Sequence, residues 1–211
     1  MIKFILALIV SYLLGSIPTA FLAGKLTKGI DIRKFGSGNV GATNAFRVLG
    51  KPIGIFVLFF DILKGFFVSA IVASYVPVTF ISGEIARIIL GAVVIAGHNW
   101  TLFLNFRGGK GVATSLGVLF GLATAIAQLW PVLGVCIFVW CIVFIATGYV
   151  SLASILCSLS FPISVFIFTK SRVLLVFSAL IAAVAIFRHK HNISRLLEKK
   201  EHRVNFPWAA R

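Results

Sequence analysis

Apolar residues fill this chain in long blocks, and short polar segments separate them. A helix that crosses a bilayer needs about 20 mainly apolar residues. By that measure the blocks predict spans over 4–24, 53–75, 85–104, 112–128, 131–147, 151–169 and 173–187. Pro52 and Pro77 flank the second block. The stretch 111–150 is too long for one helix, and Gln128, Trp130 and Pro131 divide it. The first block follows Lys3 and continues through Pro18 to Ala23 without an A-x-A site, so it reads as a retained span and not as a cleaved signal. The expected architecture is an all-α integral membrane protein: a seven-helix bundle in a single domain, 1–211, with its termini on opposite sides.

Composition agrees. Of 211 residues, 60% are hydrophobic and 12% charged, against about 25% charged in ordinary soluble domains. That excludes a soluble globular enzyme, and the apolar content excludes a disordered basic tail. Cys136, Cys141 and Cys157 lie in apolar runs and read as packing residues.

Twenty Lys and Arg face five Asp and Glu, a net charge of +15, and this charge is placed unevenly. Lys25, Lys28, Arg33, Lys34, Arg47 and Lys51 lie in the first connection, Arg107 and Lys110 in the third, and seven more in the segment 188–211. These fifteen fall on one side of the predicted membrane, against Lys3, Lys170 and Arg172 on the other. Cytoplasmic loops carry the excess of Lys and Arg. The N-terminus is therefore expected outside and the basic tail, 188–211, inside. Tyr75, Trp100, Trp130 and Tyr149 stand near span ends, as interfacial aromatic residues do.

Orientation explains part of this charge. It does not explain why glycines and hydrogen-bond donors are interleaved with it. Residues Asp31 to Gly50 read DIRKFGSGNVGATNAFRVLG. Gly36, Gly38 and Gly41 have the spacing of a dinucleotide fingerprint, but a loop between membrane helices has no room for the βαβ unit that fingerprint requires. What remains is a glycine-rich linker or an anion site, and so many donors beside arginines favour the anion site. Glycines let backbone N–H groups converge, Ser37, Asn39, Thr43 and Asn44 add donors, and Arg47 adds a planar cation. The third connection, FRGGKG, places Gly108, Gly109, Lys110 and Gly111 at a helix start, where free N–H groups favour phosphate. His98 precedes it; the residue five further on is Phe103, so no His–x4–Asp pair exists there. In RHKHNISRLLEKKE, from Arg188, His189 and Asn192 share a helical face, and the segment reads as a basic amphipathic helix on the membrane surface. His189 and His191 lack further ligands for a metal.

Asp61 and Lys64, three apart inside the second span, are expected to pair; a structural pair and a pathway pair both remain open. Ser151 lies in the fifth connection, to cap the sixth helix or line a site. A transporter would place polar residues near the midplane with discontinuous helices. The donors here gather in the first, third and fifth connections and the tail, a pattern for a phosphate-bearing ligand at the inner surface.

The runs DIRKFGSGNVGATNAFRVLG, GHNWTLFLNFRGGKG and RHKHNISRLLEKKE, together with FDILKG from Phe60 to Gly65, resemble the bacterial acyl-phosphate-dependent glycerol-3-phosphate acyltransferases across nearly the whole chain. The resemblance implies transfer of a fatty acyl group from acyl phosphate to the 1-hydroxyl of sn-glycerol 3-phosphate. The products are lysophosphatidic acid and inorganic phosphate, in phospholipid synthesis at the bacterial inner membrane. It implies that Lys110, Arg47, His189 and Asn192 hold glycerol 3-phosphate. Ser37, Asn39, Gly41, Thr43 and Asn44 contact phosphate or shape its loop, Gly108, Gly109 and Gly111 form a cradle, Ser151 adds a contact, and Glu201 is structural. No cofactor, metal or nucleic acid is implied, and the chain is expected to act as a monomer in the bilayer. Ser37, His98 and His189 are the candidates for direct catalytic roles, with the base left between His98, His189 and a substrate phosphate oxygen. A CDP-alcohol phosphatidyltransferase would need paired aspartates, and the cytoplasmic motifs contain only Asp31.

Overall fold

The computed structural model describes residues 1–76 and 81–204 and is all-helical throughout them. Pro77, expected to flank the second span, and Arg211 of the basic tail lie outside the described residues. The chain forms two compact units, Met1–Ala127 and Gln128–Arg211.

The first unit opens with α1 (Ile2–Ser16) and α2 (Thr19–Lys28), where one span was expected. The two are bent by 43° at Ile17–Pro18. Proline has no N–H to continue the ladder, and the freed carbonyls find side chains instead. Thr101 Oγ1 donates to Ser16 O, and Lys64 Nζ donates to Ile17 O at 3.3 Å. α3 (Ala42–Val48) precedes α4 (Lys51–Phe66), whose span runs on through a π turn, Phe67–Ile71, and a 3-10 turn to Tyr75. Arg87 of α5 (Gly83–Asn99) stabilises that widened turn: its Nη1 donates to Ser69 O at 2.9 Å and Ala70 O at 3.3 Å. The expected fourth span, 112–128, is shortened to α6 (Val112–Ala123). Twelve residues rise only about 18 Å.

Glycine sets the helix crossings. Gly15 of α1 lies on the backbone of Val94 in α5, and Gly97 of α5 on that of Tyr12. Gly65 of α4 and Gly117 of α6 lie on the backbones of Thr114 and Ile62. A Cβ at any of these would strike main chain, so small residues permit the close approach that packs helices in lipid.

The second unit consists of α7 (Leu129–Thr147), α8 (Val150–Phe168), α9 (Arg172–Arg188) and α10 (Lys190–Leu197). α9 and α10 are bent by 58° at His189. Phe138, Ile145, Ile163 and Phe166 are exposed along α7 and α8, as are Phe56, Phe59 and Phe60 along α4. Such apolar surface suits lipid and not water. Among the described residues four helices are long and apolar enough to cross a membrane, or six if each bent pair is one span.

Candidate active site

In the first unit the Asp31–Gly50 segment is a folded element, not a flexible linker. Ile32, Val40, Ala45 and Leu49 are buried in one cluster with Ala20 and Ala23 of α2 and Val57 of α4. The clip that closes it is Asn44, which is 1% exposed. Its Oδ1 accepts from the Ser37 N–H at 2.9 Å, and its Nδ2 donates to Phe35 O at 3.1 Å and Ile32 O at 3.3 Å. Gly36, at φ +60°, lies so close to Asn44 Oδ1 that a Cβ would overlap it. Asn44 therefore shapes the loop, and its amide is spent within it. The Ser37, Asn39 and Thr43 side chains are half-buried and make no hydrogen bond among the described residues. Gly41 caps α3, and Arg47 stands exposed in its last turn.

Asp31 is engaged elsewhere. Arg33 grips it through Nη2 at 2.7 Å and Nε at 3.0 Å, and this hydrogen bonding holds its carboxyl down to about 2. The only acid of that motif is thus an ion-pair partner.

The GGKG segment lies on the C-terminal end of α5. The Gly109 N–H donates to His98 O at 3.0 Å, and the Gly108 N–H donates to Asn99 O at 3.1 Å. A Cβ on Gly108 would strike those backbones, and one on Gly109 would strike the His98 ring at Nε2. Gly111 adopts φ +80° and would press a Cβ 2.6 Å from Asn99 Oδ1. These glycines are required for close approach, and the first two N–H groups are already committed to α5. The first-turn N–H groups of α6 have no partner within the helix, and Lys110 stands beside them at the helix entrance.

Beneath this loop lies a charged cluster that sequence spacing only half revealed. Asp61, 2% exposed, has its Oδ1 2.9 Å from Lys64 Nζ, 3.6 Å from His98 Nδ1, and 3.2 Å from Thr19 Oγ1, which donates to it. The expected Asp61–Lys64 pair is present. The His98 contact was missed because no His–x4–Asp pattern exists; the acid comes from another helix, and only the coincidence of FDILKG with GHN in one chain hinted at it. Asn99 Nδ2 and Oδ1 and Thr114 Oγ1 are buried without hydrogen-bond partners among the described residues.

In the second unit Glu201 is the hub. Its Oε1 accepts from Asn192 Nδ2 at 2.8 Å and from Ser151 Oγ at 3.1 Å, and its Oε2 accepts from Arg195 Nε at 2.7 Å. Burial works to raise its carboxyl, but the bonds from Arg195, Asn192 and Ser151 outweigh it and carry the group below the ordinary glutamate value. His189 is buried with Nδ1 2.7 Å from Ala185 O. A carbonyl only accepts, so Nδ1 carries the hydrogen there and Nε2 is the nitrogen that addresses other partners.

These features define an integral membrane protein, all-helical among the described residues, with basic and glycine-rich segments at its helix ends. Comparison with known proteins narrows the class. The profile of the family described as glycerol-3-phosphate acyltransferase matches residues 5–199. Curated relatives of that description include those of Chlorobium phaeobacteroides (strain BS1), 42% identical over 98% of both chains, and Thermoanaerobacter sp. (strain X514), 41% identical over 93% of both. A crystal structure of PlsY (YgiH), an integral membrane glycerol 3-phosphate acyltransferase, in its glycerol 3-phosphate form is similar with TM-score 0.85 and 39% identity over 96% of each chain. Its lysophosphatidic acid form gives TM-score 0.82, covering 96% of this chain and 95% of that one. The chain belongs to the glycerol-3-phosphate acyltransferase family.

Proposed function

We propose that the protein transfers a fatty acyl group from acyl phosphate to the 1-hydroxyl of sn-glycerol 3-phosphate at the inner face of a bacterial cell membrane, yielding lysophosphatidic acid and inorganic phosphate. The proposal extends to seven spans, with α6 and the two bent pairs counted among them, an outer N-terminus and a monomeric chain. The observation that carries it is the α6 entrance: Lys110 and first-turn N–H groups that have no partner within the helix, seated on α5 by glycines that admit no side chain. Family membership supplies the substrate class.

Acyl phosphate is already activated, so no enzyme nucleophile is needed. The hydroxyl oxygen attacks the acyl carbonyl carbon, the carbonyl pair moves onto oxygen, and its return breaks the bond to the phosphate oxygen. The hydroxyl proton leaves with the released phosphate, or passes through a phosphate oxygen of either substrate. The protein's work is to hold two anions together and to offset charge on the carbonyl oxygen. In the first unit Lys110 and Arg47 bind phosphate, while the Ser37, Asn39 and Thr43 side chains add donors. In the second unit the proposal assigns phosphate binding to His189 and Asn192, with Ser151 as a further contact and Glu201 orienting Asn192 and Ser151.

Purified protein in detergent, given palmitoyl phosphate and glycerol 3-phosphate, is expected to release phosphate only when both are present. No acceptor-dependent release would overturn the acyltransfer reading, and equal rates with acyl-CoA would overturn the donor assignment.

A further inference from the structure

Asp61 lies among groups from separate elements that all bear on one oxygen. Thr19 comes from α2, just past the Pro18 bend, Lys64 from α4 itself, and His98 from the end of α5. The imidazole is a bridge: its Nδ1 end addresses Asp61, and its Nε2 end lies against Gly109. The same residue's carbonyl accepts from the Gly109 N–H. Anything that turns the ring therefore moves Gly109, then Lys110 and the first turn of α6. A carboxylate accepts only, so it selects the orientation that presents Nδ1–H to Asp61. A buried acid with an unpaired charge would be costly in this position; Lys64 and Thr19 meet that demand at hydrogen-bond distance, and His98 Nδ1 stands 3.6 Å away.

We propose that Asp61 and His98 are positioning residues: Asp61 fixes the His98 ring, and the ring fixes the GGKG loop at the geometry that holds the acceptor's phosphate. This rests on the acyltransferase reading above. With its Nε2 end lying against Gly109, His98 supports the loop.

The test uses the full chain in detergent, with glycerol 3-phosphate varied at saturating palmitoyl phosphate. Asp61→Asn and His98→Ala are each expected to raise KM for glycerol 3-phosphate on the order of tenfold, the usual scale for losing a group that orients a binding residue. Because one acts through the other, the double variant is expected to show no more than the larger single effect. The thermal midpoint is recorded in parallel. A pair that only stabilised the fold would lower the midpoint and the active fraction at unchanged KM, and that result would overturn the proposal; so would KM effects that multiply. If Asp61→Asn does not fold, His98→Asn and His98→Gln carry the test. Each keeps one end of the bridge and loses the other, so each should raise KM, and a wild-type KM in either overturns the proposal. Calorimetric binding of glycerol 3-phosphate to the same variants separates the two readings. A wild-type chain that binds but does not turn over sinks the acyltransfer reading alone, and the Kd values then decide this one by the same criteria.

Discussion

Asn44 and Ser37 are neighbours in the loop and have opposite tasks. Asn44 serves three backbone groups, accepting from one and donating to two. Asn44→Asp keeps the shape and the acceptor but faces Phe35 O and Ile32 O with an oxygen, so two carbonyls lose their donor. It should lower stability by about 3 kcal/mol, from the cost of buried unsatisfied groups. Ser37→Ala removes a hydroxyl that has no partner among the described residues. Its stability should stay within about 0.5 kcal/mol, while turnover with palmitoyl phosphate and glycerol 3-phosphate falls. Thermal unfolding beside the phosphate-release assay checks both, and the outcome fails if Asn44→Asp unfolds at the wild-type temperature. At this scale the sequence marked the polar residues of the loop but could not divide their labour. Ser, Asn and Thr among glycines signal donors, yet nothing local says that Asn44 turns inward to carbonyls nine and twelve residues away. The GGKG glycines were likewise legible as a helix entrance. That Gly108 and Gly109 owe their identity to His98 and Asn99 is a contact between helix end and loop, which spacing does not encode.

Element by element, the expected helices are present with their boundaries shifted for local reasons. Pro18 lies inside the first apolar block, and hydropathy alone read across it. The break is legible in the missing N–H, but its stabilisation by Lys64 and Thr101 is not, since both come from distant elements. The fourth block kept its start at Val112 and lost its end, because the chain turns after Ala123 before Gln128. In the second unit Glu201 joins the start of α8 to α10, and its environment makes that junction depend on pH. Its carboxyl lies below the ordinary 4.5 when folded. A group depressed in this way stabilises the folded state above its unfolded value, and the contribution is lost as pH falls through the folded one. Stability of the second unit should therefore be level near neutrality and decline once pH drops below that ordinary value. Glu201→Gln should flatten the decline and cost roughly 2 kcal/mol at pH 7, because Arg195 loses its anion. Thermal midpoints measured from pH 7 to pH 4 check it; parallel curves for wild type and variant would count against the assignment.

For the whole molecule the decisive quantity is the placement of charge. The +15 reads first as a sign that the polar segments are few and basic. The folded chain then divides that charge. Some residues have structural partners, as Arg33 has Asp31, Lys64 has Asp61 and Arg195 has Glu201. Fifteen residues on one predicted side against three on the other are the basis of the proposed orientation, by the positive-inside rule. Orientation matters to chemistry here, because glycerol 3-phosphate is a charged metabolite that does not cross a bilayer unaided, so a site on the wrong face would starve. Each unit can be tested by itself with single cysteines in a background lacking Cys136, Cys141 and Cys157, using a membrane-impermeant maleimide on intact cells. In the first unit Ile2→Cys should label at once and Phe35→Cys only after permeabilisation. In the second, Lys170→Cys should label at once and His202→Cys only after permeabilisation. All four positions are exposed on the protein, so a lack of labelling reports the membrane and not burial. The reverse pattern in either unit would place that unit's basic segments outside the cell and remove the phosphate site from its substrate.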